Sequence, residues 1–145
     1  MLIAVLSDTH GRYPTKLPEF LKEADEIWHL GDVCDPEVLV EFELIGPPVR
    51  VVLGNCDAEI SWPLDLTLRR EGVEFFLTHI PPRRVPADVQ VVLHGHTHLP
   101  RDETINGVRW LNPGCISDPR NMGTSFAWLE VEEGRLTRWD LVRLS

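Results

Sequence analysis

Three observations predict an α/β fold. Short apolar runs alternate with helical patterns in the first third of the chain, period-two strands take over afterwards, and metal-competent residues follow the apolar runs. Leu2–Ser7 is a continuous apolar run ending in serine, suited to a strand buried on both faces. Leu17, Phe20, Leu21 and Ala24 recur at helical spacing, with Pro18 in the first turn, where its missing N–H is not needed. Glu26–Leu30 is a second strand. Asp35-Pro36 opens a second helix whose inner face carries Val38, Leu39 and Phe42. Val49–Leu53 is a third strand, and the order β-α-β-α-β implies that the three run parallel.

Beyond this point the pattern changes. Leu64, Leu66 and Leu68 alternate with polar residues, Gly72 interrupts, and Val73–Thr78 resumes as a partner strand. Val89–Leu93 is a further apolar strand. Asn106-Gly107 marks a hairpin turn between Thr104-Ile105 and Val108–Leu111, and Glu133-Gly134 joins Thr124–Val131 to Leu136–Leu144. Ile80–Ala87 is a loop rich in Pro and Arg. With no repeat and no linker, residues 1–145 read as a single domain, α/β in its first half and mostly β in its second.

The 145 residues can bury a core of their own, and 43% hydrophobic with 26% charged residues is a globular balance. The apolar start, Met1–Leu6, lacks a basic segment and is too short for a signal peptide or a membrane span, so a cytoplasmic protein without membrane contact is expected. Three cysteines without a Cys-x-x-Cys pair argue for reduced thiols rather than a disulfide framework. The net charge of -9 disfavours nucleic-acid polymers held by surface charge. Two divalent cations would bring it only to -9 + 4 = -5, so attraction for a phosphate must come locally, from metal.

The ends of the strands carry the chemistry. They deliver Asp8-Thr9-His10, Gly31-Asp32, Gly54-Asn55, His79 and Gly95-His96-Thr97-His98, and ligands of open α/β sheets gather at that rim. Asp8/His10 and His96/His98, each two residues apart in an extended segment, can point side chains at neighbouring ions, and the two oxygens of Asp32 can bridge a pair. Imidazole, carboxylate and amide oxygen together suit Mn²⁺, Fe²⁺ or Zn²⁺. Glycines before Asp32, Asn55 and His96 are expected to permit sharp turns. Each motif alone has an ordinary explanation as a turn or a helix cap; seven such residues at five strand ends do not.

In this order the motifs resemble the calcineurin-like metallophosphoesterase superfamily, and most of all its small prokaryotic phosphodiesterases, whose fold is shared by a non-enzymatic retromer subunit. Asn112-Pro113-Gly114 matches a further motif of the family. The resemblance implies two packed mixed β-sheets flanked by helices, an αββα sandwich. It implies one metal held by Asp8, His10, Asp32 and His98 and a second held by Asp32, Asn55, His79 and His96. Manganese is the expected metal, with iron, zinc or nickel as alternatives. Asp32, Asn55 and His79 would carry catalysis, and a hydroxide shared by two metals about 3.5–4 Å apart would attack a small phosphodiester. A phosphomonoesterase, or a non-catalytic metal-binding scaffold, are the alternative readings, and a homo-oligomer is left open.

Three positions depart from the family pattern. Cys56 replaces a histidine associated with leaving-group protonation, Ile80 replaces the glycine after the ligand histidine, and Cys115 follows Asn-Pro-Gly in place of serine. The short Pro-rich stretch after Ile80 is expected to lack the usual helix. His29 and His94 read as core residues or as partners that orient a ligand, and Trp110, Trp128 and Trp139 as packing residues. Trp62 is assigned to packing ahead of a place in the cleft, and Arg83, Arg84 and Arg120 are candidate phosphate contacts. A thiolate zinc site among Cys34, Cys56 and Cys115 is disfavoured by their spacing.

Overall fold

The computed structural model describes residues 1–117 and 123–144. Two mixed five-stranded sheets face each other. The first has the order β10-β9-β1-β2-β3, built from Arg135–Arg143, Ser125–Glu132, Leu2–Leu6, Glu26–His29 and Val49–Val51. The second has the order β4-β5-β6-β8-β7, built from Asp65–Arg70, Val73–Thr78, Val91–Leu93, Val108–Asn112 and Arg101–Ile105. β1, β2 and β3 are parallel as expected, with Ala4 opposite Ile27 and Ile27 opposite Val49. The C-terminal hairpin closes the first sheet, because β9 lies antiparallel against β1.

Alternation along the strands creates two hydrophobic layers. Ile3 and Val5 of β1, Trp28 of β2, and Leu129 and Val131 of β9 face Phe75, Leu77, Val91, Leu93 and Leu111 of the opposing sheet. The residues between them, Ala4, Leu6, Ile27, Phe126 and Trp128, point the other way and are covered by the two helices. α1 (Leu17–Leu21) contributes Leu17 and Leu21, and α2 (Pro36–Glu43) contributes Val38, Leu39 and Phe42. The Asp35 side chain caps α2 by accepting the Glu37 N–H at 3.1 Å. α1 stops short of Ala24 because the chain tightens there, with Glu23 and Ala24 donating to carbonyls only three residues back. The Asp25 N–H then returns to the Leu2 carbonyl of β1.

On the outer face of the second sheet no helix forms between Ile80 and Ala87, as the prolines imply. Val85 of that segment and Val89 just beyond it instead pack with Phe76 and Val92. Asn106-Gly107 and Glu133-Gly134 are both turns with two consecutive positive φ angles, the geometry that suits tight hairpins. Among the described residues no helix is long and apolar enough to cross a membrane.

Candidate metal centre

Backbone pairing continues beyond the strand ends and carries the loops onto one rim. The Asp8 N–H donates to the Gly31 carbonyl at 3.0 Å, the His10 N–H to Asp32 at 3.0 Å, and the Gly95 N–H to His79 at 3.0 Å. The sheets are tied together at this rim by His79, whose Nδ1–H donates to the Leu30 carbonyl at 2.8 Å. That bond fixes the His79 tautomer and leaves the Nε2 lone pair facing Asp32 Oδ2 at 3.3 Å and Asp8 Oδ1 at 3.9 Å.

Around Asp8 Oδ1 stand three imidazole nitrogens, His98 Nε2 at 3.3 Å, His10 Nε2 at 3.6 Å and the His79 atom just described. His10 Nε2 and His98 Nε2 are themselves 3.4 Å apart. A second pair, His96 Nδ1 and Asn55 Oδ1, is separated by 3.1 Å, and the rings of His79 and His96 pack edge to face at 5.2 Å. All seven predicted ligands therefore meet on this rim.

The donor set fits divalent cations. Ligands bound about 2.1 Å from one ion stand roughly 3–3.4 Å from each other, the range of the His98–Asp8, His79–Asp32, His10–His98 and His96–Asn55 separations. Asp8 Oδ1 and His79 Nε2 are buried and have no hydrogen-bond partner among the described residues. A buried acceptor facing another acceptor is costly unless a cation or a proton lies between them. Burial opposes charge on His79, but Asp32 and Asp8 beside it hold its pKa above the ordinary histidine value. Burial likewise opposes ionisation of Asp32, yet His79, the Cys56 N–H and His10 bring its pKa down to about 2.

The backbone is strained where the ligands sit. Asp8, His10, Asp32, His96 and His98 all have φ between 49° and 69°, a left-handed conformation that costs a side chain with a Cβ of the order of 1–3 kcal/mol. This corrects the expectation for the glycines. Gly31 does turn the chain with a φ of 98°, but Gly54 and Gly95 lie outside the left-handed region and are required by close approach. A Cβ on Gly54 would stand 2.2 Å from Asp32 Oδ1, and one on Gly95 only 2.0 Å from Ser7 Oγ.

A second correction concerns the thiols. Cys34 and Cys56 form a disulfide, 22 positions apart in sequence but with Cα atoms 5.8 Å apart. The spacing hides the pair; the adjacency of parallel β2 and β3 brings the loops that follow them together. Cys34 Sγ also lies 3.5 Å from His10 Nδ1, on the side of the ring away from Asp8. Cys115 is buried and donates to the Asp8 carbonyl at 3.4 Å. His10, His98 and Cys115 place one ligand atom each within 4.8 Å of one another.

His29 and His94 are buried and orient the loops. His29 Nδ1 accepts the Gly31 N–H at 3.1 Å, so its Nε2–H donates to Thr9 Oγ1 at 3.1 Å. His94 donates from Nδ1 to the Gly95 carbonyl at 3.0 Å and accepts from Arg101 at 3.0 Å. Ser7, Ser117 and Asp57 were not singled out by sequence. Ser7 Oγ–H donates to Asp8 Oδ2 at 2.7 Å, and Ser117 Oγ–H to the Asp8 carbonyl at 2.8 Å. Serine beside a ligand is too common a sequence signal to have marked Ser7, and Ser117 adjoins no candidate ligand in sequence. Trp62 packs against the helical layer and also borders a recess with Cys34 and Asp57. Arg83 and Arg84 are exposed, and Arg120 lies outside the described residues.

His29 makes the metal-free fold acid-sensitive. Burial, the charge of His79 and that of His10 depress its pKa from 6.5 to about 3, against a smaller pull from Asp32. The folded state thus keeps His29 neutral while the unfolded chain takes up a proton below pH 6.5. Its contribution is complete above that value and is lost as the pH falls towards 3, by up to about 1.4 kcal/mol per pH unit. In metal-free protein, Tm measured from pH 7 to 4 should fall more steeply for wild type than for His29→Gln. Equal slopes would exclude a neutral His29.

A two-sheet sandwich with a rim of histidines, carboxylates and an amide is the architecture of a metal-dependent phosphoesterase. Residues 1–134 match the calcineurin-like phosphoesterase superfamily domain, and the chain belongs to that family. It is 29% identical to a probable metallophosphoesterase of Methanothermobacter thermautotrophicus, over 94% of this chain and 89% of that protein. It is 30% identical to the phosphodiesterase YfcE of Escherichia coli, over 83% of this chain and 82% of YfcE. The solved structure of an archaeal phosphodiesterase superposes with a TM-score of 0.83 at 23% identity, covering 99% of this chain and 100% of that one. The protein is accordingly a hydrolase of phosphoester bonds.

Proposed function

We propose that the protein is a binuclear phosphodiesterase acting on small phosphodiesters. Asp8, His10, Asp32 and His98 would hold one divalent cation, and Asp32, Asn55, His79 and His96 the other, manganese being the expected metal. The observation that carries this reading is the buried confrontation of Asp8 Oδ1, Asp32 Oδ2 and the His79 lone pair, which calls for positive charge between them. When bound, two such ions supply an acidified water and positive charge for the phosphoryl oxygens. Asp32 presents one oxygen to His79 while the other accepts the Cys56 N–H at 3.0 Å, so its carboxylate plane is fixed before substrate arrives. Asn55 and His79 would then flank the phosphate as well. A diester is favoured by the named activity of YfcE and of the archaeal relative.

Elemental analysis after reconstitution with Mn²⁺ should give two ions per chain, and bis-nitrophenyl phosphate should be hydrolysed in preference to nitrophenyl phosphate. One ion or none per chain would refute the binuclear reading, and the reverse preference would refute the diesterase.

Leaving-group dependence provides a separate check. Cys56 replaces the histidine of the family pattern, and its sulfur is committed to Cys34, so it has no proton to give. Rates should therefore fall steeply as the leaving-group pKa rises, alkoxides lagging nitrophenolates by the 10²–10⁴-fold that general-acid help is typically worth. A flat dependence would mean that another group protonates the leaving oxygen.

A further inference from the structure

The geometry points to Asp57 as a positioning residue that holds the two metal-bearing loops in register. Among the described residues its carboxylate bonds to none of the seven candidate ligand side chains, yet it accepts three backbone N–H groups from the segments that carry two of them. Oδ2 accepts from Asp32 at 2.9 Å and from Gly54 at 2.8 Å, and Oδ1 accepts from Cys34 at 2.8 Å. Its own N–H donates to the Gly54 carbonyl at 3.2 Å, closing a turn around Asn55. One carboxylate thus bridges the loop after β2 to the loop after β3.

The bonded amides are those that most need an acceptor. Asp32 and Cys34 have φ of 58° and 67°, and two left-handed side-chain-bearing residues around Val33 hold that shape only if their surroundings impose it. Charge-assisted bonds from both amides to one anion impose it. The Cys34–Cys56 disulfide joins the same loops covalently. It links side chains, however, and does not orient the Asp32 or Gly54 amides. Asparagine at position 57 would offer one acceptor oxygen and turn an NH₂ group towards an N–H donor. Asp32 and Asn55 would then lose their fixed placement although every candidate ligand remains. Partners of this kind behind metal ligands are typically worth 10–100-fold in affinity. The inference rests on Asp32 and Asn55 being metal-holding residues.

The test compares wild type, Asp57→Asn, Asp57→Glu and Glu26→Ala. The last removes the carboxylate that accepts from Trp28 and Arg70 at the start of β2, the end of the strand away from the rim, and controls for a simple loss of stability. In metal-free protein, amide exchange should accelerate at Asp32, Cys34 and Gly54 in Asp57→Asn while the amides of β1 stay protected. Titration with Mn²⁺, followed by calorimetry and by the spin-coupled resonance of the ion pair, should show affinity reduced 10–100-fold in Asp57→Asn. It should be unchanged in Glu26→Ala and partly restored in Asp57→Glu, which keeps the carboxylate. Wild-type affinity in Asp57→Asn, or an equal loss in Glu26→Ala, would overturn the assignment. If Asp57→Asn does not fold, a wild-type exchange pattern and affinity in Asp57→Glu would overturn it, since a longer side chain cannot keep all three bonds in place. Wild-type protein that binds two ions and hydrolyses no phosphoester would instead overturn the proposed function and leave the Asp57 comparison standing.

Discussion

Replacing Asp32 with alanine is expected to abolish phosphoesterase activity and to weaken both metal sites at once. Its Oδ2 lies 3.3 Å from His79 Nε2, a carboxylate oxygen lies within 4.8 Å of one of Asp8, and Oδ1 accepts the Cys56 N–H, so one side chain adjoins a ligand proposed for each ion and joins both loops. Groups one layer behind a metal typically cost 10–100-fold in affinity, and a shared ligand should cost more than about 100-fold. Removal also leaves His79 with a single buried carboxylate neighbour, Asp8, at 3.9 Å. The raised pKa of His79 should then fall in the metal-free protein, because the first of its charge-stabilising contacts is gone. Metal titration alongside NMR titration of His79 would check both effects. A variant that kept one site at full affinity would show that Asp32 serves only one ion.

Gly95→Ala should be severely damaging although it adds a single methyl group. The new Cβ would stand 2.0 Å from Ser7 Oγ, 2.9 Å from Asp8 Oδ2 and 3.1 Å from Ser7 Cβ. Neither residue can retreat, since Ser7 and Asp8 are completely buried at the end of the central strand β1. Overpacking in a rigid core typically costs 1–3 kcal/mol, and contacts this short place the expected loss at about 3 kcal/mol or more. Activity should fall further than stability, because relief of the clash must move Asp8 and break its 2.7 Å bond from Ser7. Adding Ser7→Ala removes the nearest atom and should recover part of the stability but little of the activity. Thermal unfolding and metal binding of the single and double variants would check this, and a fully tolerated Gly95→Ala would contradict the packing at the rim.

Much of this was legible in the sequence because the signals are local. Period-two runs, Asn106-Gly107, Glu133-Gly134 and Asp35-Pro36 each specify their own segment through backbone preferences that need no distant partner. The seven candidate ligands were legible for a related reason, since each follows a strand, and parallel strands deliver their ends to one rim. The helix after Leu17 was overestimated because its tail obeys a tertiary demand, the return of Asp25 to β1, and not its own periodicity.

The sequence by itself determined the strand grammar, the candidate ligands and the family. Only the tertiary structure decided what surrounds them. The Cys34–Cys56 bond, the three amides on Asp57 and the crowding at Gly54 and Gly95 all arise between segments that are distant along the chain. No local preference encodes such contacts. They follow from β2 and β3 lying side by side and from the second sheet closing over β1, which places His79 and Gly95 against the ends of the first sheet. Sheet pairing is set by burial of two apolar layers across the whole domain, so the residues it brings together can be read only once the fold is formed.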